Sequence, residues 1–173
     1  MANSVNALTY LVGTLLDLFI TALLLRLLLQ WVRADFYNPV CQFLVKLTNP
    51  PLLPLRRVIP AIGRLDTATV VLMLGLEFLG VWIASRIGST PLPPGEIVLF
   101  SITKLLATLL MTYFFLIIAA AILSWVGGSM RHPVIPLVYQ LTEPVMRPIR
   151  KVIPPIAGID LSPLFALIGI RFL

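Results

Sequence analysis

Residues Trp31–Asp66, WVRADFYNPVCQFLVKLTNPPLLPLRRVIPAIGRLD, are written a second time as Trp125–Asp160, WVGGSMRHPVIPLVYQLTEPVMRPIRKVIPPIAGID, at a constant offset of 94 residues and without a gap. Trp31, Pro39, Leu47, Thr48, Pro50, Pro54, Arg56, Val58, Ile59, Pro60, Ile62 and Asp66 recur as Trp125, Pro133, Leu141, Thr142, Pro144, Pro148, Arg150, Val152, Ile153, Pro154, Ile156 and Asp160. Chance does not keep that many positions in register. The chain is two copies of one unit, and its function has to suit an internal pseudo-dimer.

Hydrophobic residues make up 59% of the chain and charged residues 12%, about half the charge of a soluble domain. The solvent is therefore a bilayer. Three apolar runs flank the repeated segments: Leu8–Trp31, Thr67–Ser85 and Ile97–Val126. Each is long enough to cross a hydrocarbon core of about 30 Å. The first lacks a basic start and a small-residue cleavage site, so it reads as a retained helix rather than a signal peptide. A fourth run, Leu161–Leu173, holds thirteen residues and is too short to span. The repeat predicts a full helix there, so either the natural chain continues past Leu173 or the last helix is partial.

These runs predict an all-α membrane protein with four transmembrane helices in two parallel tandem repeats, residues 1–90 and 91–173. Each repeat carries a basic segment, 32–66 or 127–160, between its two helices. A parallel repeat has its axis along the membrane normal, unlike the inverted repeats of many transporters. Orientation follows from Arg and Lys, which stay preferentially on the cytoplasmic side. The segments hold Arg33, Lys46, Arg56, Arg57, Arg64, Arg131, Arg147, Arg150 and Lys151 against Asp35, Asp66, Glu143 and Asp160, which is five of the chain's six net positive charges. The expectation is that both repeat segments face the cytoplasm, with the N terminus and the Pro91–Gly95 hairpin outside.

Within each segment, Asn38-Pro39 and His132-Pro133 have the form of helix starts, a polar cap followed by proline at the first helical position. Val40, Phe43, Leu44 and Leu47, and equivalently Val134, Leu137, Val138 and Leu141, then recur at i, i+3, i+4 and i+7. This predicts a short amphipathic helix of about ten residues, interfacial or re-entrant, with its apolar side in the membrane. Thr48 and Thr142 are expected to cap a second, proline-interrupted element starting at Pro50 and Pro144. Arg56, Arg57, Arg150 and Lys151 would meet anionic lipid phosphates or a protein partner, each contributing about 1 kcal/mol near such a surface. Ordinary positive-inside anchoring is the plainer reading of the same four residues.

The Trp-Val pair, the Asn-Pro or His-Pro start, and Leu-Thr-x-Pro followed by Pro-x-Arg-basic-Val-Ile-Pro-x-Ile-x-x-x-Asp resemble the YggT (YlmG) family of small membrane proteins, and both copies carry the pattern. The resemblance implies a bacterial inner-membrane protein with plastid relatives, linked to osmotic tolerance and ion uptake, cell division, nucleoid distribution and plastid cytochrome maturation. No single biochemical activity unites those links.

Ionisable groups inside membrane helices are functional candidates. Glu77 and Arg171 occupy equivalent positions, 94 residues apart, and both count to about 15 Å from the basic end at 1.5 Å per residue. A Glu77–Arg171 salt bridge across the pseudo-axis is predicted. It would serve as structural glue, or Glu77 would line a polar path for a cation with Asp17, Thr14, Thr21, Thr108 and Thr112, countered by Arg26 or Arg171. Thr14, Asp17 and Thr21 share a helix face, which suits a helix-helix contact equally well.

Catalytic machinery is missing from the sequence. Nucleophilic catalysis needs a base beside the nucleophile and metal sites need several ligands, yet the chain has one His and one Cys. No catalytic residue, cofactor or metal site is expected, and a lone His132, standing where the first copy has Asn38, excludes bis-His haem binding by one chain. Cys41 has no intramolecular disulfide partner and reads as a small buried residue. Trp31 and Trp125 read as interfacial anchors.

Two functions fit. One is a non-enzymatic organising or accessory factor that holds inner-leaflet anionic lipid, a membrane or cytoplasmic protein, or a second copy of itself through its basic segments. The other is a small ion-uptake or osmotic-stress protein conducting a cation such as potassium between the repeats. Nucleic acid is the weaker partner, because lipid headgroups compete for the same cations.

Overall fold

A computed structural model describes residues 2–87, 91–126, 132–153 and 160–172, with side chains from residue 7 onward except at 125 and 126. The Trp125 side chain, Arg131, Pro154 and Ile156 fall outside the described residues. The described residues form six helices: α1 Ala2–Trp31, α2 Pro39–Val58, α3 Thr67–Ile87, α4 Pro94–Val126, α5 Val134–Val152 and α6 Ser162–Phe172. Only an isolated bridge between Ile62 and Leu65 departs from this all-helical plan among them. Three helices, over Ala7–Trp31, Thr67–Ile87 and Pro94–Ser124, are long and apolar enough to cross a membrane, and α6 is a shorter apolar helix.

The basic ends are set by local stop and start signals. After α1, Arg33 adopts φ 56°, while its N–H donates to the Gln30 carbonyl and that of Ala34 to the Leu29 carbonyl. That is a Schellman closure with arginine in the left-handed position that glycine usually takes. Asn38 then opens α2, its side-chain oxygen accepting from the Val40 N–H at 3.0 Å ahead of Pro39. In the second copy His132 accepts from Val134 N–H through Nδ1 at 3.3 Å. The expected start is in place at Asn38-Pro39, whereas α5 begins one residue later than expected, with Pro133 as its cap and Val134 as its first helical residue.

Downstream of these starts the structure corrects the sequence reading. There is no ten-residue helix followed by a broken element, because α2 runs unbroken through Pro50, Pro51 and Pro54, and α5 through Pro144 and Pro148. Each proline removes the N–H that would bond the carbonyl four residues back. Those carbonyls belong to Lys46, Leu47, Pro50, Gln140 and Pro144, all exposed residues, so the loss falls on the outer side of each helix. Thr48 and Thr142 are mid-helix, donating back to the carbonyls of Leu44 and Val138.

The inward stripe of α2 is Cys41, Leu44, Thr48 and Leu52, rotated from the expected Val40, Phe43, Leu44 and Leu47. Phe43 and Leu47 are exposed. The rotation follows from Thr48, whose hydroxyl accepts from Arg26 of α1 and so turns inward a position that counts as polar. In α5 the expected stripe holds better, with Leu137, Val138, Leu141, Thr142 and Met146 buried and Val134 exposed.

Each half repeats one packing plan: α1 lies against α2 and α3, and α4 against α5 and α6. The cores correspond too. Leu23 and Leu52 are fully buried in the first half, and their equivalents Ile117 and Met146 are buried in the second. Between the halves, α3 and α4 pack as consecutive helices, their connection closed by the Leu92 N–H donating to Ser85 Oγ at 2.8 Å. Pro94 and Gly95, expected in that hairpin, already belong to α4. A shared cluster of Ala22, Leu29, Cys41, Leu44, Leu137 and Leu141 joins α1 and α2 to α5. Asn38 Nδ2 also donates across to the Pro133 carbonyl at 2.7 Å. That bond places the starts of α2 and α5 side by side at one end of the molecule.

Truncating Leu52 or Met146 to alanine empties a closed core site and is expected to cost about 3 kcal/mol. The same change at exposed Leu53 should stay within about 0.5 kcal/mol. Equilibrium unfolding in detergent micelles measures both.

Candidate functional site

Lys104 is the charged residue around which the apolar helices assemble. Its Nζ lies 2.6 Å from Asp17 Oδ1 on α1 and 3.1 Å from Glu77 Oε2 on α3. Glu77 is 1% exposed. The Glu77–Arg171 bridge is thereby overturned: α3 is flanked by α1 and α4, whereas α6 lies on α4 and α5. Equal depth does not bring the two side chains together when α4 intervenes. Arg171 is exposed, beside Phe114, Leu167, Ile168 and Phe172. Lys104 had a legible signal that depth counted from the basic end conceals. Glu77 is ten residues before the end of α3, and Lys104 ten residues after the start of α4.

Of the threonines of the expected polar path, Thr14 donates to the Tyr10 carbonyl, Thr21 to Asp17, Thr108 to Lys104 and Thr112 to Thr108, each four residues back along its own helix. This bond uses the hydroxyl proton, not the oxygen lone pairs that a cation would need.

At the basic end the repeat motif resolves into a clasp. The guanidinium of Arg56 donates through Nε and Nη2 to Asp66 Oδ2. Asp66 in turn starts α3, accepting from the Thr69 hydroxyl at 2.6 Å and, more distantly, from the Thr69 N–H. Arg150 Nε donates to Asp160 at 2.9 Å, and Asp160 accepts from the Ser162 N–H at the start of α6. Both copies thus tie the end of one helix to the start of the next across ten residues. The turn within this connection in the first copy uses Gly63 at φ 60°, where the Ile62 and Leu65 backbones exchange hydrogen bonds. Burial pushes the Asp66 carboxyl up, but the hydrogen bonds of Arg56 and Thr69 and the Arg56 charge outweigh it and hold it below the ordinary carboxylate range. Asp160 shifts the same way, with burial outweighed by Ser162 and Arg150.

The clasp revises the roles of the four basic residues. Arg56 and Arg150 face carboxylates rather than lipid phosphates, and Arg150 also pairs with Glu143 at 2.9 Å. Arg57 and Lys151 remain exposed, as do Lys46, Arg64 and Arg147, and no ion pair holds any of the five among the described residues. The recurrence of both Arg and Asp at one spacing was the available signal for the clasp. At the opposite end, Arg86 rests over the Trp82 ring, 5.6 Å from its centroid. Among the described residues no group of three or more His, Cys, Asp or Glu side chains is arranged to hold a metal ion.

Apolar helices organised around an internal ion triad, with an amphipathic basic layer at one end, define a helical membrane protein. The chain belongs to the CCB3/YggT family, whose model matches it twice, over residues 5–87 and 99–173. It is 42% identical over 172 residues to the "Uncharacterized protein in proC 3'region" of Vibrio alginolyticus, covering 96% of this chain and 91% of that one. It is 40% identical to the "Uncharacterized protein YggT" of Escherichia coli K12, with 92% and 82% covered. To the "Uncharacterized protein PA0392" of Pseudomonas aeruginosa it is 37% identical, with 97% and 86% covered. No solved structure matches the chain.

Replacing Lys104 by methionine strands two carboxylates and should destabilise the protein by about 3 kcal/mol. Arg171→Met should cost less than about 1 kcal/mol. Unfolding in micelles ranks the two, and the reverse order would restore the pairing with Arg171. The clasp gives a pH test. A carboxyl held below its ordinary range stabilises the fold above about pH 4, and that contribution fades as pH falls through the folded value. Asp66→Asn should therefore cost about 2 kcal/mol at neutral pH, with the gap from the parent closing in acid. Asp160→Asn, at a more exposed pair, should cost under about 1 kcal/mol.

Proposed function

We propose that this protein is a non-enzymatic organising factor of the bacterial inner membrane, whose basic layer lies on the cytoplasmic side and holds anionic lipid or a partner protein. In this reading α6 is the foot of a fourth span, and the two halves insert in parallel with the N terminus outside. The observation that carries it is the division of labour among the cations. Arg56 and Arg150 close the fold, while Lys46, Arg57, Arg64, Arg147 and Lys151 stay free at the same end as exposed Phe43, Leu47, Leu53 and Val58. Cations beside exposed apolar side chains on an amphipathic helix suit a headgroup layer. One further feature favours organisation over conduction: Lys104 bridges Asp17 and Glu77, the carboxylates of the expected cation path.

In nanodiscs of mixed phosphatidylethanolamine and phosphatidylglycerol, the protein should enrich phosphatidylglycerol around itself. Arg57→Glu with Lys151→Glu should reduce that enrichment roughly thirtyfold, at about 1 kcal/mol per cation, and high salt should mimic the change. Equal enrichment in the variant would refute lipid holding by this layer. For orientation, cysteines placed at Arg57 or Lys151 in a Cys41→Ser background should resist membrane-impermeant thiol reagents in intact cells. Potassium flux through proteoliposomes that is lost in Glu77→Gln would favour conduction instead.

A further inference from the structure

The two copies of the repeat differ at the points where charge matters most. In the first, a cavity of about 630 Å³ opens between the end of α1, α2 and the connection to α3, and its lining includes Arg26, Arg33, Arg56 and a single carboxylate, Asp66. Arg26 is 8% exposed and is held by Nη1 donating to Thr48 Oγ1 and, at 3.4 Å, to the Val45 carbonyl. In the second copy the equivalent positions are Ala120, Gly127, Arg150 and Asp160. There Arg150 is matched by Glu143, whose own equivalent in the first copy is Asn49. The second copy sets one guanidinium against two carboxylates; the first surrounds its clasp with two additional guanidinium groups and leaves a net excess of two positive charges.

Both added arginines carry a structural cost. Removing a charged side chain from water is unfavourable unless something pairs with it, and the guanidinium of Arg26 is hydrogen-bonded to neutral oxygens, with Asp66, already taken by Arg56, acting on it from a distance. Arg33 sits at φ 56°, a left-handed conformation that costs a non-glycine residue roughly 1 kcal/mol, at the position where the repeat otherwise carries Gly127. Strain and buried charge together point to a ligand rather than to packing. Planar guanidinium groups match phosphate oxygens in paired hydrogen bonds. Arg26 lies five residues in from Trp31 along α1, about 7.5 Å along the axis, which is headgroup depth if Trp31 marks the interface.

We infer that this cavity is a phosphate-binding site in which Arg26 and Arg33, beside the closed Arg56–Asp66 pair, hold a phosphate group supplied either by an anionic lipid headgroup or by a free phosphate compound. The site stands apart from the exposed cations Arg57 and Lys151, so the two can fail independently. Leu29, Phe36, Leu44 and Ile59 give the cavity an apolar wall, against which the remainder of a phosphorylated molecule would lie.

The test uses the full chain in neutral detergent. Inorganic phosphate, titrated against chloride at constant ionic strength, should raise the unfolding temperature, and native mass spectrometry from nanodiscs should retain one phosphatidylglycerol per chain. Retention of the lipid without a response to phosphate assigns the site to lipid; the converse assigns it to a soluble phosphate. Arg33→Gly should raise the unfolding temperature of the free protein, because it relieves the left-handed residue, while weakening either ligand about tenfold by loss of a charged hydrogen-bond donor. Arg26→Lys, which keeps the charge but not the fork, should weaken binding with the fold intact, and Lys151→Gln should leave it unchanged. Binding of neither ligand by the parent protein, or equal binding by parent and Arg33→Gly, overturns the assignment.

Discussion

One ammonium group ties the apolar helices of the second half to those of the first. Lys104 stands in an apolar helix of the second half and reaches two carboxylates, Asp17 and Glu77, that belong to the first. In a low-dielectric setting an unmatched charge is so unfavourable that partners are effectively compulsory. The ion contacts act together with the packing of Leu105 and Leu109 against the α1 and α3 core to fix the register of α4. Given that register, α5 falls beside α2, and Asn38 is within reach of the Pro133 carbonyl.

The Arg–Asp clasps impose a second constraint, at the other level of the molecule. Each closes a connection that would otherwise leave two helix ends joined by a free loop. Because the same pair recurs in both copies, it belongs to the repeat unit itself, whereas Lys104 belongs to the assembly of the halves. Duplication thus preserved the part of the structure that folds a unit and left free the part that joins units.

This separation decides what was legible beforehand. The apolar runs, the Asn38 and His132 starts and the doubled plan all follow from local chemistry, and the helices sit where composition puts them. Symmetry points to the wrong partner for Glu77 because it equates residues without stating which helix lies between them, and α4 lies there. The proline two residues after Thr48 suggests a cap, yet the long-range partner Arg26 turns Thr48 into the core and carries the helix with it. The roles of Arg56 and Arg150 were half visible: their recurrence marked them, but a lipid phosphate and an aspartate ten residues away make the same demand on a guanidinium. Where local rules compete with a contact from elsewhere in the chain, the contact prevails.

The prolines of α2 and α5 bear on where these helices can rest. At 20 and 19 residues they have the length to traverse hydrocarbon, and length alone would allow them to sink. The five carbonyls left without helical donors would find no partner in oil. In the interfacial arrangement proposed above, that side of each helix is therefore the one that has to reach water or headgroups. The breakers in the sequence would thus limit immersion without breaking the helix.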